Sequence, residues 1–222
     1  MKQKVTMFLK KATKSWLQGV AAGMCIGLGT ITYLLIPNKL LGAFIFAFGL
    51  FIVCGYKLKL CTGMAGYLIN KSVDTSGFVP ACIGNINGIA LVYILSILWK
   101  PELRPISTQI LESKILLMPY QTFISALFCG MLMFLAVDGY RHSAHTLLSV
   151  LSIFIAVPIF IINGFDHCVV SMYYVLGATS IEQGVVGLQF FAVAMIGNFI
   201  GALLANLLFQ RLHYWNVMTK NK

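Results

Sequence analysis

Two polar breaks interrupt an otherwise apolar chain, and the residues able to do chemistry gather in them. The first runs Lys57-Leu58-Lys59-Leu60-Cys61-Thr62-Gly63 and the second Asn163-Gly164-Phe165-Asp166-His167. An imidazole titrates near neutral pH and can hand a proton to a weak acid. His167 also opens a short apolar run, where free backbone N–H groups and the positive end of a helix dipole favour an anion. Thr62 holds the matching place in the first break; its hydroxyl can donate to an anion or accept from a protonated acid, although taken alone it reads better as a helix cap. Asp166 reads as a cap or as a lysine's partner, with structure weighed above transport. Lys114, just ahead of a later apolar run, would either draw anions into a vestibule or snorkel. Cys61 and Cys168 stand beside Thr62 and His167 and raise a rival, a membrane thiol enzyme, although neither lies in a redox motif. All six cysteines otherwise read as small buried hydrophobes, because they are scattered without C-x-x-C or framework spacing. His142, His145 and His213 fall in loops or at a helix end and read as solvated.

Such breaks acquire meaning from the elements around them. The chain has 222 residues, 59% hydrophobic and 10% charged, with mean hydropathy +0.88. A soluble domain of this size cannot bury that much apolar side chain and still cover its surface, which excludes an ordinary cytosolic enzyme. Apolar runs between breakers give six spans: Trp16 to Pro37, Leu40 to Tyr56, Gly77 to Trp99, Pro119 to Val137, Leu147 to Ile162 and Val186 to Leu212. Met64 to Ile69 and Cys168 to Ala178 remain as shorter apolar pieces, each just after a break. Backbone freed by a break cannot face lipid, so both pieces must lie inside the protein or line a cavity.

The net charge of +10 comes from basic residues mainly in tails and loops. It reads as a topology signal rather than a nucleic-acid footprint, and it favours both termini in the cytoplasm. The expected organisation is a cytoplasmic amphipathic arm over residues 1–15, one six-span domain over 16–213 and a basic cytoplasmic tail over 214–222. Met1 to Lys14 is too charged for a signal-peptide core, so nothing is expected to be removed.

The third span carries Ile83-Gly84-Asn85-Ile86-Asn87-Gly88 and the sixth carries Ile196-Gly197-Asn198-Phe199-Ile200-Gly201. Each closes a group of three spans whose middle member is broken. Two such groups in sequence must face opposite ways, which is an inverted repeat with interrupted helices in corresponding positions. The glycine spacing also lets helices pack closely.

These residues carry a resemblance. Gly164-Phe165-Asp166-His167 followed by Val169-Val170-Ser171-Met172 resembles the fifth-helix signature of the formate/nitrite transporter family, usually G-F-E-H then x-x-A-N-M. Phe46-Ala47-Phe48-Gly49-Leu50 with Leu60-Cys61-Thr62-Gly63 is similar to that family's second helix and omega loop. The resemblance implies a homopentamer of six-span, aquaporin-like protomers, each with its own pore for small monovalent weak-acid anions such as formate, nitrite or hydrosulfide. It implies that His167 is the central histidine, Thr62 the omega-loop threonine and Lys114 the vestibule lysine. Phe46, Leu50, Leu60 and Phe160 would be hydrophobic constrictions, and Lys59, Asp166 and Ser171 supporting positions. The sequence departs from the pattern in three places. Ungapped matching puts a family asparagine on Gly130, Ser171 replaces another, and Lys59 replaces an acidic residue; the segment from Thr62 to Gly84 is also short.

The reading that follows is a channel or transporter in a cell membrane, of the bacterial inner-membrane kind. No enzymatic activity, cofactor, metal or nucleic-acid partner is expected. A bare anion at mid-membrane is expensive, so the anion would gain a proton near Thr62 and His167 and cross the constriction as the neutral acid. The alternative keeps the fold and makes the solute neutral, urea or ammonia.

Overall fold

A computed structural model describes residues 2–69 and 74–220 of the chain, with side chains over 6–69 and 74–209. The side chains of His213 and of the expected basic tail therefore lie outside the described residues.

Helix α1 (Lys2–Leu35) runs without interruption from the expected arm into the first apolar span and stops ahead of Pro37. Asn38 caps α2 (Lys39–Gly55), its Oδ1 accepting from the Leu41 N–H at 3.0 Å. After the first break, α3 (Cys61–Ala65) continues as a 3-10 turn over Gly66–Ile69, and α4 (Phe78–Trp99) follows. Helix α5 (Leu103–Ile115) was not foreseen; its mixed polar sequence buries only Leu103, Ser107, Thr108 and Leu111. The remaining helices are α6 (Pro119–His142), α7 (Thr146–Ile162), α8 (Cys168–Val175) and α9 (Ile181–Lys220). No strand occurs among the described residues.

By length and composition, α4, α6 and the segments Thr6–Leu35 of α1 and Ile181–Phe209 of α9 can each cross a membrane. Helices α2 and α7 are equally apolar but only 17 residues long. At ~1.5 Å per residue they fall short of a ~30 Å hydrocarbon core, and each is followed by a break and a second short helix. Large apolar side chains point outward along these helices, Ile83 at 52% and Leu98 at 74% exposure among them. Water tolerates such a surface poorly; lipid or neighbouring subunits do not.

The two halves of the chain repeat one set of contacts. Helices α1 and α4 pack against each other through glycines, as do α6 and α9. A Cβ at Gly88 would run into the Val20 carbonyl oxygen and one at Gly201 into that of Leu127, so the backbones meet with no room for a side chain. Asn85 on α4 accepts the Cys61 N–H at 2.8 Å and donates Nδ2 to the carbonyls of Gly19 at 2.8 Å and Lys59 at 2.9 Å. Asn198 on α9 accepts the Cys168 N–H and donates to the carbonyls of Ala126 and Asp166, all at 2.8 Å. Each partner's counterpart lies 107 positions on, 19 to 126, 59 to 166 and 61 to 168.

The breaks repeat as well. Lys57 and Gly164, equivalent by the same offset, are the residues of positive φ that turn the chain out of α2 and α7, at 53° and 67°. Glycine adopts this conformation freely, whereas a lysine is strained there. Two residues later the halves diverge in charge, since Lys59 is matched by Asp166 and Leu60 by His167.

Candidate functional site

The carboxamides of Asn85 and Asn198 each tie the first amide of a short helix to the carbonyl just before it, which fixes where α3 and α8 begin. Thr62, one residue into α3, and His167, one residue before α8, are thereby set against each other. Thr62 Oγ1 lies 3.0 Å from His167 Nε2, with both side chains buried. The hydroxyl can donate to a bare ring nitrogen or accept from a protonated one, so the contact survives either tautomer. His167 Nδ1 is buried without a hydrogen-bond partner among the described residues. A buried polar nitrogen in that state is costly unless water or a ligand reaches it.

An apolar collar surrounds the imidazole. The Phe160 ring stacks on it with centroids 5.8 Å apart and planes at 21°, and Phe46 meets Phe160 edge-on at 6.2 Å. Both phenylalanines, His167, Ser171, Lys114 and Asp166 line a cavity of about 190 Å³. Leu50 and Leu60 are buried in the apolar core and do not line it.

Lys114, at the end of α5, does not stand in this cavity as a free cation. Its Nζ is 2.6 Å from Asp166 Oδ1 and donates to the Gly164 carbonyl at 2.7 Å. Ser125 on α6 donates its hydroxyl to Asp166 Oδ2 at 2.7 Å and accepts the Asp166 N–H at 3.0 Å. Asp166 is thus both paired with a lysine and fixed to a neighbouring helix, the structural role weighed for it from the sequence. Two of the three ammonium donors of Lys114 are thus engaged, and only 20% of the lysine side chain is exposed.

Three positions singled out in the sequence behave differently from one another. Ser171 is buried and lines the cavity. Gly130 packs against α9 so tightly that any Cβ would strike the Asn198 carbonyl, which leaves no space for an amide side chain there. Lys59 is turned away from Thr62 and His167 and donates to Ser15 Oγ of α1 at 2.8 Å. It lines a second cavity of about 120 Å³ with Lys57, Met64, Tyr67, Asp74 and Arg141, and the two cavities share no lining residue. Here Asp74 pairs with Lys11 at 2.8 Å. The Lys11 ammonium and the Ser76 hydroxyl and amide hold the Asp74 carboxyl well below the usual carboxylate range.

The thiols of Cys61 and Cys168 lie against each other, with Cys82 on the other side of Cys61, and none is oxidised. Of the remaining histidines, His142 is surface-exposed beside Asp138, with Nδ1 2.9 Å from Oδ1, and His145 precedes α7. Sequence reasoning missed Asn85 and Asn198 as clamps, although both stand inside the repeated Ile-Gly-Asn motif. It also missed Ser125, a lone hydroxyl 41 residues from its partner, for which no local signal exists.

The model of the formate/nitrite transporter family matches residues 1–212. Among solved structures, the fold is similar to a pentameric formate channel with formate bound, at 22% identity and TM-score 0.71 over 95% of this chain and 98% of that one. It is similar also to an FNT family ion channel, at 19% identity and TM-score 0.70 over 94% and 90% of the two chains. No curated protein matches. With the family model spanning nearly all of the sequence, and with four helices long and apolar enough to cross a membrane among the described residues, the chain is a membrane protein belonging to the formate/nitrite transporter family.

Proposed function

We propose that the protein is a six-span channel or transporter for small monovalent weak-acid anions, formate foremost, built as an inverted repeat and assembled as a homopentamer. The observation that carries this is the Thr62–His167 contact at 3.0 Å, buried where two short helices begin and faced by stacked phenylalanine. Orphan first-turn amides make such helix starts attractive to negative charge, whereas the phenylalanine collar penalises a bare ion. An anion is therefore drawn to His167 and Thr62, takes up a proton there and passes Phe46 and Phe160 as the neutral acid. Leu50 and Leu60 form the apolar stretch beyond. The pentamer and the formate substrate are supported by the solved channel of the same fold. Both termini in the cytoplasm is supported by the distribution of lysine and arginine.

The test is reconstitution in liposomes. Formate, nitrite and hydrosulfide entry should exceed protein-free controls and accelerate as the external pH falls, and His167→Asn should remove the pH-dependent part. Unchanged pH dependence in that variant would sink the proton-relay reading.

One observation favours a second reading on the same fold, a neutral solute such as urea. Lys114 is neutralised by Asp166 and His167 Nδ1 is free to bond a polar neutral molecule. Urea entry without weak-acid flux would select it.

A further inference from the structure

The second cavity gathers positive charge. Lys57, Lys59 and Arg141 line it, against a single carboxylate, Asp74, already engaged by Lys11. The Lys57 side chain makes no hydrogen bond or ion pair among the described residues, and Arg141 makes no ion pair there, its guanidinium lying 5.5 Å over the Tyr67 ring. Three cations around one space repel one another unless an anion joins them. The backbone adds a second observation. Lys57 holds φ at 53° where the equivalent residue of the other half is Gly164. A non-glycine residue kept in that region is strained, and such strain persists where the surrounding structure over-determines it.

A cavity of about 120 Å³ has room for about four waters at ~30 Å³ each, the scale of a tetrahedral oxyanion. Arg141 presents a planar fork that suits two oxygens at once, and the lysines supply point charges. Tyr67 and Met64, which also line the cavity, belong to the segment that carries Thr62.

We propose that this cavity binds a free dianionic oxyanion of the inorganic phosphate class and that the bound dianion occludes this mouth of the passage. A monoanion that can be neutralised by one proton passes on. A dianion held by three cations does not, because shedding two charges at the apolar collar is prohibitive. The occlusion rests on the reading of the chain as a passage; the binding does not.

Thermal unfolding of the full chain in detergent, titrated with inorganic phosphate against potassium chloride at matched ionic strength, tests the binding. Phosphate should raise the transition saturably, as a ligand of the folded state does, and chloride should not. Lys57→Gly relieves the left-handed strain, so its transition without phosphate should be at or above that of the parent while its apparent phosphate affinity falls at least tenfold. Lys57→Gly combined with Arg141→Gln should lose the response. No phosphate-specific rise, or an equal rise in the double variant, overturns the proposal. So does a response to phosphatidylglycerol micelles with none to inorganic phosphate, which would assign the site to a lipid headgroup. In liposomes, phosphate on one face should slow formate flux in the parent and not in the double variant; flux indifferent to phosphate overturns the occlusion. If phosphate binds while no weak-acid flux occurs under any condition, the site stands and the transport reading fails.

Discussion

Asn85→Ala and Asn198→Ala remove equivalent clamps, and the cost of each can be worked from its bonds. Each carboxamide makes three bonds of 2.8 to 2.9 Å. The carbonyls of Gly19 and Ala126 lie inside α1 and α6 and keep their helical partners, so their loss is small. The N–H of Cys61 or Cys168 opens its helix and has no partner within it, and the carbonyl of Lys59 or Asp166 lies ahead of the helix, so neither has a substitute. An unsatisfied buried group costs about 1–3 kcal/mol, so each variant should lose about 4 kcal/mol, and the two should agree within about 1 kcal/mol. Asn85→Asp, which keeps the acceptor for Cys61 and forfeits both donations, should fall between parent and Asn85→Ala or below it if the new charge stays buried. Unfolding in mixed micelles with increasing denaturing detergent gives the free energies directly. A loss under 1 kcal/mol in either alanine variant, or a large difference between the two, would refute the idea that the carboxamides set the starts of α3 and α8.

Phe160→Ala removes the ring stacked on His167 and should cost about 3–5 kcal/mol of stability, while formate flux rises and its selectivity over chloride falls; unchanged selectivity would acquit the collar. Asp166→Asn leaves Lys114 charged and partly buried without its counter-ion, at about 3–5 kcal/mol, and half-maximal anion flux should then occur at lower concentration in liposomes. Asp74 is held ionised by Lys11 and Ser76. Because its folded-state pKa is depressed, the tie from α1 to this loop is present above the ordinary carboxylate range and is lost as pH falls through the lowered value. Asp74→Asn should therefore leave the shape of the flux profile between pH 5 and 8 unchanged, and a displaced profile would show that this pair takes part in gating.

Much of this was legible in the sequence because apolar runs and polar breaks are local signals. The limits of α2 and α7, and the start of α8 beside His167, follow from hydropathy and from Gly-Phe-Asp-His, whereas α3 begins at Cys61, three residues ahead of the apolar piece expected from Met64. Helix α5 escaped because only four of its residues are buried, too few to write a periodic pattern. Gly130 could be matched to a family asparagine by counting, yet its backbone contact with α9 is a tertiary fact that no local composition encodes. Lys114 and Asp166 were each noticed, but their 2.6 Å pairing joins residues 52 positions apart. The equivalence of the halves was visible in Ile-Gly-Asn and obscured elsewhere, since Cys61 to Gly84 spans 23 positions and Cys168 to Gly197 spans 29.

The divergence of Lys59 from Asp166, equivalent residues of opposite sign, gives a nearly symmetric molecule unlike ends. One presents an ammonium group bonded to the Ser15 hydroxyl and the other a carboxylate paired with Lys114. In a passive pathway such ends cannot change the final distribution of solute, which its gradient alone dictates. On the transport reading proposed above, unlike ends make flux at equal and opposite gradients unequal, and a charge exchange at these two positions, Lys59→Asp with Asp166→Lys, should reverse the sense of that inequality.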